Sequence, residues 1–321
     1  MDFHCVVGFN SQYSTATFYV DGKWSSIGSK SWKDRQNIGS IQHLVFHWLE
    51  YSSLTILTET LVQLSTPHRC HDWSVWSYRL RLHRPLAVLG QRATHREGWI
   101  VGRRDPLSDQ WVYGEIAPLP AFHGLSMEEV YRDILHVFKN QQVPNTALVK
   151  TVLDVWNCPK QSGTLKINKL LDSVKHVTHA TSIIKLKLGR QPLSEDMNRF
   201  LRLQKDHPNI VWRLDCNRQW TLEDLNHFWT ICDPNRIEYI EDPLRDPSDM
   251  IHVTSIPLAL DESLGEYTEL LSLKSVVAAI IKPTLHCNWQ SLLNRYDVRG
   301  VISSTFEGSL GIWGLSQLAL H

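Results

Sequence analysis

The chain has 321 residues, 42% of them hydrophobic, and its 33 Lys plus Arg balance 33 Asp plus Glu to a formal net charge of zero. That is material for one large or two ordinary domains with substantial cores, and the balanced charge leaves no general basic field for nucleic acid. No apolar run is long enough to span a bilayer and no basic-then-apolar leader opens the chain, so the sequence predicts a cytoplasmic protein without membrane or nucleic-acid partners.

The six cysteines, Cys5, Cys70, Cys158, Cys216, Cys232 and Cys287, are scattered. They form no Cys-x-x-Cys pair, which suits a reducing compartment and gives no zinc or redox signature. Residues 1 to 75 show little sustained periodicity and read as an unassigned N-terminal extension: an extra structured piece, a disordered leader, or upstream sequence from a misplaced start. His68, Cys70 and His71 lie close together there, in a spacing that fits no common zinc pattern and reads as chance.

From Trp76 the chain becomes orderly, and residues 76 to 157 read as a small α+β capping domain. Tyr78-Arg79-Leu80-Arg81-Leu82, Gly98 to Gly102 and Gln110 to Ile116 read as three antiparallel strands, with turns at Pro85, Gly90 and Asp105-Pro106. Ser126-Met127-Glu128-Glu129 is a capping box, because the Ser126 hydroxyl can accept from the Glu129 amide while the Glu129 carboxylate reaches back. The helix it opens runs to about Lys139, and a second starts near Pro144 with Leu148, Val152, Val155 and Trp156 on one side.

Residues 158 to 321 read as a repeating part. Its first strand is only hinted at, by Thr164-Leu165-Lys166-Ile167. Then Ile183 to Gly189 alternates like a buried strand, yet places Lys185 and Lys187 on one face, which must therefore point at something charged. Strands ending at Asp215, Glu241, Asp261, Lys282 and Ser303 follow at steps of roughly a strand plus a helix plus two loops, the rhythm of β/α units. Helices open at Ser194-Glu195-Asp196 and Thr221-Leu222-Glu223-Asp224, with acids in the first turn where the dipole favours them. Parallel barrels and doubly wound sheets both place ligands at strand C-termini, so the rhythm alone leaves the two open.

The chemistry is in those strand ends. Asp215, Glu241 and Asp261 converging from successive strands repel one another unless a cation lies between them, and an all-carboxylate set favours Mg²⁺ over zinc. Lys187 and Lys282, on strands to either side of the carboxylates, would flank a bound substrate. A partly desolvated lysine among other cations has its pKa lowered towards neutrality and can act as a base. The set suits removal of a proton next to a carboxylate, because metal and lysine stabilise the resulting enediolate more than the ground state. One strand-end aspartate is most often a helix cap, and two lysines on one strand are often an exposed face. Five such residues in phase across five units are a site.

The segments Ile184-Lys185-Leu186-Lys187-Leu188-Gly189, Arg213 to Thr221, Ile240-Glu241-Asp242-Pro243, Leu260-Asp261-Glu262-Ser263-Leu264, Ile281-Lys282-Pro283-Thr284-Leu285 and Val301 to Gly311 resemble the enolase superfamily and, within it, the o-succinylbenzoate synthase family. Gly114-Glu115-Ile116-Ala117-Pro118-Leu119-Pro120 extends the likeness into the capping domain. The resemblance implies an α/β TIM-type (β/α)₇β barrel under an α+β cap. It implies Mg²⁺, with Mn²⁺ as a substitute, and a small-molecule carboxylate substrate: syn dehydration of 2-succinyl-6-hydroxy-2,4-cyclohexadiene-1-carboxylate to 2-succinylbenzoate in menaquinone biosynthesis. By the same resemblance Lys187 moves the α proton, Lys282 stabilises the enediolate, and Asp215, Glu241 and Asp261 hold the metal. Lys185, Arg213, Asn217, Asp242 and Glu262 support those carboxylates, Ser303 and Ser304 meet the substrate, and a cap loop from Leu86 to Glu97 closes over the succinyl tail.

Family members continue past Gly-Ser-Leu-Gly through an eighth strand and a C-terminal segment, so the expectation here is a barrel lacking its last strand, with exposed strand edges. Two other functions compete. Facing lysines also suit an N-acylamino acid racemase or dipeptide epimerase of the same superfamily, and an incomplete barrel suits an inactive remnant.

Overall fold

The computed structural model describes residues 72–88, 91–105, 109–159, 163, 165–166, 168–171 and 183–321, together with the backbone of five short strands before them. Those strands are β1 (Gly8–Asn10), β2 (Thr15–Val20), β3 (Lys23–Ile27), β4 (Glu59–Leu64) and β5 (His68–Cys70). The first three form an antiparallel sheet, whereas β4 and β5 each pair antiparallel with β6 (Trp73–Val88). The side chains of His68, Cys70 and His71 lie outside the described residues.

The chain divides into two compact units. In the one that holds the cap, β6 pairs with β7 (Gln91–Arg104), which pairs with β8 (Trp111–Ile116), all antiparallel. Ser77, Arg79 and Arg81 are exposed while Trp76, Tyr78, Leu80 and Leu82 are buried, the period of two that a pleated strand imposes. The expected turn at Pro85 is instead inside β6, at a register irregularity between Arg81 and Leu86 where the ladder can spare proline's missing N–H. The expected loop from Leu86 to Glu97 is likewise a hairpin, with Leu86 opposite Ala93 and Val88 opposite Gln91. Leu86 and Val88 are buried while Pro85 and Ala87 are exposed, a period of two carried by too few residues to mark a strand in the sequence.

A short helix α1 (Pro120–His123) follows, then α2 (Met127–Asn140), opened by the Ser126–Glu129 capping box, and α3 (Ala147–Asn157). The last starts at Ala147 rather than near Pro144, because Thr146 is the residue whose hydroxyl accepts from the Val149 amide. Val130, Ile134 and Val137 of α2 and Leu148, Val149 and Val152 of α3 bury against Trp99, Val101 and Ile116 of the sheet. Helix α3 comes close to β8 at Gly114, where a Cβ would stand 2.4 Å from Val152 Cγ1.

The other unit is built on a seven-stranded sheet in sequence order: β9 (Lys169–Leu171), β10 (Ile183–Lys187), β11 (Val211–Asp215), β12 (Ile237–Glu241), β13 (Leu258–Leu260), β14 (Val276–Ile281) and β15 (Arg299–Ile302). From β9 to β14 every neighbouring pair is parallel, the TIM-type α/β arrangement. The first strand lies at Lys169–Leu171, beyond the expected Thr164-Leu165-Lys166-Ile167. Leu165 and Lys166 are not in a strand, and three residues carry too little alternation to locate one.

Helices α4 (Leu193–Asp206), α5 (Leu222–Ile231) and α6 (Trp289–Tyr296) intervene between strands. Thr221 and Asp224 form a second capping box at α5. The outer face of the sheet packs on these helices: Trp212 of β11 meets Phe200 of α4 edge-on at 5.6 Å, and Phe200 stacks on Phe228 of α5 at 5.4 Å. The inner face carries Tyr239, Ala259, Ala278 and Ile280 as an apolar cluster with Val301 against it.

Two stretches of the repeat are counted with the cap's unit: Lys282–Cys287, directly after β14, and Ile302–His321, which contains α7 (Ser309–Leu320). Among the described residues no helix is long and apolar enough to cross a membrane.

Candidate active site

Strand register stacks the charged residues in two levels. Lys187 is the partner of Asp215, Asp215 of Glu241, and Glu241 of Ala259. One level towards the strand N-termini, Lys185 is the partner of Arg213 and Arg213 of Tyr239. Side chains two apart on a strand share a face, so the inward positions of adjacent parallel strands fall into layers, and the upper one here is a row of charge. Asp261 follows β13 directly, two residues beyond Ala259.

Within this row Lys185 Nζ lies 2.9 Å from Asp215 Oδ2 and donates to Glu241 Oε2, while Lys187 Nζ is 3.7 Å from Asp215 Oδ2. Lys185 is one level down, and its long stem carries the ammonium up between the two carboxylates. Burial works against its charge, yet Glu241 and Asp215 hold it protonated, above the ordinary lysine range. Burial pushes the Glu241 carboxyl up to about 7 against the pull of Lys185, and the charges of Asp215 and Asp261 push the same way. Asp215, Glu241 and Asp261 are all buried.

The residues around them have identifiable tasks. Asn217 donates through its side-chain amide to Asp215 Oδ1 at 2.5 Å and through its backbone at 3.2 Å, in the left-handed conformation with φ +47°. Asp242, also left-handed at φ +36°, accepts from the Ser263 amide at 2.8 Å and so ties the end of β12 to the turn after Asp261. Burial pushes its carboxyl up to about 7 as well, with the charges of Asp261 and Glu262 adding to it. Glu262 itself is exposed at the head of that turn.

Arg213 is differently placed. Its guanidinium is bonded to Glu238 Oε2 at 2.7 Å and Asn168 Oδ1 at 3.0 Å and lies over the Tyr239 ring at 5.1 Å. Ladder register shifts between Trp212 and Arg213, leaving Glu238 as the extra residue opposite and turning its carboxylate to Arg213. Glu238, Asn168 and Tyr239 were not singled out from the sequence. The available signal is Glu238, an acid inside β12 one residue after its start and apart from the strand-end Glu241.

Lys282, Ser303 and Ser304 belong to the cap's unit. Lys282 is buried, its ammonium 5.7 Å from the Phe122 ring centroid, and its amide donates to His286 Nδ1 at 3.2 Å. Ser303 is half-buried and Ser304 exposed, both just beyond β15. The pattern of strand ends could not reveal Phe122 or His286 because neither lies on a strand.

Among the described residues no group of three or more His, Cys, Asp or Glu side chains is drawn together at metal-holding distances. The donor set nonetheless fits a hard divalent cation. Three buried carboxylates stand at the ends of successive strands and offer only oxygen donors, and the charges of Asp215 and Asp261 add to the burial that raises the Glu241 carboxyl. Asp215, Glu241 and Asp261 would hold it, and Lys185 supplies the positive charge between the first two.

The family described as Enolase C-terminal domain-like matches residues 169–286, and that described as MenC, N-terminal domain matches residues 70–153. The o-succinylbenzoate synthase of Aliivibrio salmonicida is 27% identical over 280 residues, 76% of this chain and 85% of that one. That of Edwardsiella ictaluri is 28% identical over 277 residues, 77% of this chain and 85% of that one. Among solved structures, the o-succinylbenzoate synthase of Thermosynechococcus elongatus with Mg in its active site is similar at a TM-score of 0.60 and 23% identity, covering 78% of this chain and 89% of that one. A dipeptide epimerase of Enterococcus faecalis with Mg and L-Leu-L-Tyr is similar at 0.58 and 15%, covering 77% and 86%.

Proposed function

We propose that this chain, which belongs to the enolase superfamily, is an o-succinylbenzoate synthase: a Mg²⁺-dependent lyase that dehydrates 2-succinyl-6-hydroxy-2,4-cyclohexadiene-1-carboxylate to 2-succinylbenzoate. The observation that supports it most directly is the row Lys187, Asp215, Glu241, held in register at the C-terminal ends of three adjacent parallel strands.

Lys187 is the base. Its ammonium contacts Asp215 only at 3.7 Å and its side chain is partly exposed, so it is neither locked into a short ion pair nor sealed from a ligand. It takes the proton from the carbon beside the substrate carboxylate and delivers it to the departing hydroxyl. One group serving both transfers requires proton and hydroxyl to leave from the same face, hence syn elimination. Lys185 cannot share this task, because two carboxylates keep it protonated. Asp215, Glu241 and Asp261 would hold Mg²⁺, whose charge would stabilise the enediolate, with its extra negative charge, more than the ground-state carboxylate. Lys282, the lysine of the Ile281-Lys282-Pro283 motif, is assigned the remaining charge stabilisation.

The second reading is an epimerase, supported by the likeness of fold to dipeptide epimerases. The test is turnover of the cyclohexadiene substrate by purified protein, followed in the ultraviolet as the ring becomes aromatic, with Mg²⁺ and with chelator. Metal-dependent aromatisation is expected. Deuterium exchange into N-succinylamino acids or dipeptides without aromatisation would move the assignment to the epimerase.

A further inference from the structure

Arg96 is 2% exposed, and each of its three described side-chain bonds goes to a backbone carbonyl: Nη1 to Pro118 O at 2.6 Å, Nη2 to Ala117 O at 2.7 Å and Nε to Phe306 O at 2.9 Å. A buried guanidinium spent on neutral carbonyls is a costly way to stabilise a cap, since desolvation is offset only by good hydrogen bonds. What it secures is one particular turn. Phe306 stands at φ +65°, a left-handed conformation unusual for a bulky residue, two residues after Ser304.

The same turn is gripped from a second strand. Glu115 of β8, also buried, accepts from the Gly308 amide at 3.1 Å and the Gly311 amide at 2.8 Å, and takes the Tyr78 hydroxyl at 2.5 Å. A Cβ on Gly308 or Gly311 would stand 2.9 Å from a Glu115 carboxylate oxygen, so glycine at both is what allows the approach. A cation thus holds the turn's carbonyl while an anion holds the amides of Gly308 and of Gly311, the latter in the first turn of α7. Inside the turn, Glu307 accepts from the Thr305 amide at 2.6 Å and from the Thr284 hydroxyl at 3.0 Å, linking it to the segment that begins at Lys282.

We propose that Arg96 and Glu115 are positioning residues of the cap, which clamp the turn at Thr305–Gly311 from opposite polarities and thereby fix the approach of Ser303 and Ser304 to the substrate. This rests on the synthase reading for the role of the two serines; the clamp itself does not.

The test compares wild type with Arg96→Met, Arg96→Lys and Glu115→Gln. Losing a charge-assisted bond to the turn should raise KM roughly tenfold or more while kcat changes less, because the lysines and carboxylates that carry the chemistry are untouched. Arg96→Lys should recover part of the loss. Amide hydrogen exchange of residues 303–311 should quicken in Arg96→Met and in Glu115→Gln, with residues 211–241 unchanged, and Mg²⁺ affinity should stay at the wild-type value. Unchanged exchange in the turn would overturn the proposal. So would exchange quickened throughout the chain together with an equal fall in kcat and kcat/KM, which is what a purely structural role predicts. Should wild type fail to aromatise the substrate, the synthase reading falls, and the exchange of residues 303–311 still decides the clamp.

Discussion

Lys185 and Lys187 differ by two positions and by chemistry. The first is bonded to two carboxylates and the second is held loosely by one. Lys187→Ala should therefore cut turnover by roughly 10²–10⁴-fold, the usual worth of a positioned base, with Mg²⁺ affinity retained, as calorimetric titration would show. Lys185→Met should act on stability instead. It strands two buried carboxylates and should cost about 3–5 kcal/mol in metal-free protein by denaturant unfolding, with Mg²⁺ restoring much of it. Glu241 gives a pH dependence of definite sign. Below about 4.5 its carboxyl is protonated in folded and unfolded chains alike. Between there and about 7 the folded chain keeps a proton that the unfolded chain has released, so its contribution to stability falls as pH rises through that window. Mg²⁺ must displace the same proton, so affinity should weaken about tenfold per unit below pH 7 and level off above it. An affinity flat from pH 5 to 8 would remove Glu241 from the metal site.

At the scale of elements, the strands were legible wherever charge interrupted a buried run. Strands β10 to β12 end at the residues the alternation marked, and Asp261 and Lys282 follow their strands directly. The capping boxes at Ser126 and Thr221 form as read, because both partners are within one turn and need no tertiary context. What failed was non-local. The hairpin from Leu86 to Glu97 is a strand pair because the far side of the ladder supplies its hydrogen bonds, and α3 begins after Thr146, whose amide and hydroxyl both donate to Asp133 of α2. The contact of α3 with β8 has a specific weak point. Gly114→Ala should cost about 1–3 kcal/mol by overpacking against Val152, and a second change, Val152→Ala, should relieve part of it; strict additivity of the two would show that they do not touch.

At the scale of the molecule, the sheet order is sequence order, so each strand end neighbours the next and a sequence of strand-end acids becomes one row. Metal binding should couple to the stability of this unit by mass action. Mg²⁺ at a hundred times its Kd should add about 2.7 kcal/mol, visible as a rise in Tm that chelator abolishes and that Asp261→Asn diminishes. The same rise in Asp261→Asn would show that the cation binds elsewhere.

The sequence by itself determined the type of sheet and the identity of the charged row, because parallel strands of period two put those residues on one face and one end whatever surrounds them. It did not determine what each charge is used for. Arg213 is drawn to Glu238 by a register shift that appears only when two strands are paired, and Lys185 is set apart from Lys187 by which carboxylates its stem reaches. Nor could it tell that Arg96 and Glu115, far from any motif of strand ends, close on the turn from Thr305 to Gly311. These are contacts between residues some two hundred positions apart, and no local pattern encodes a distance that only folding makes short.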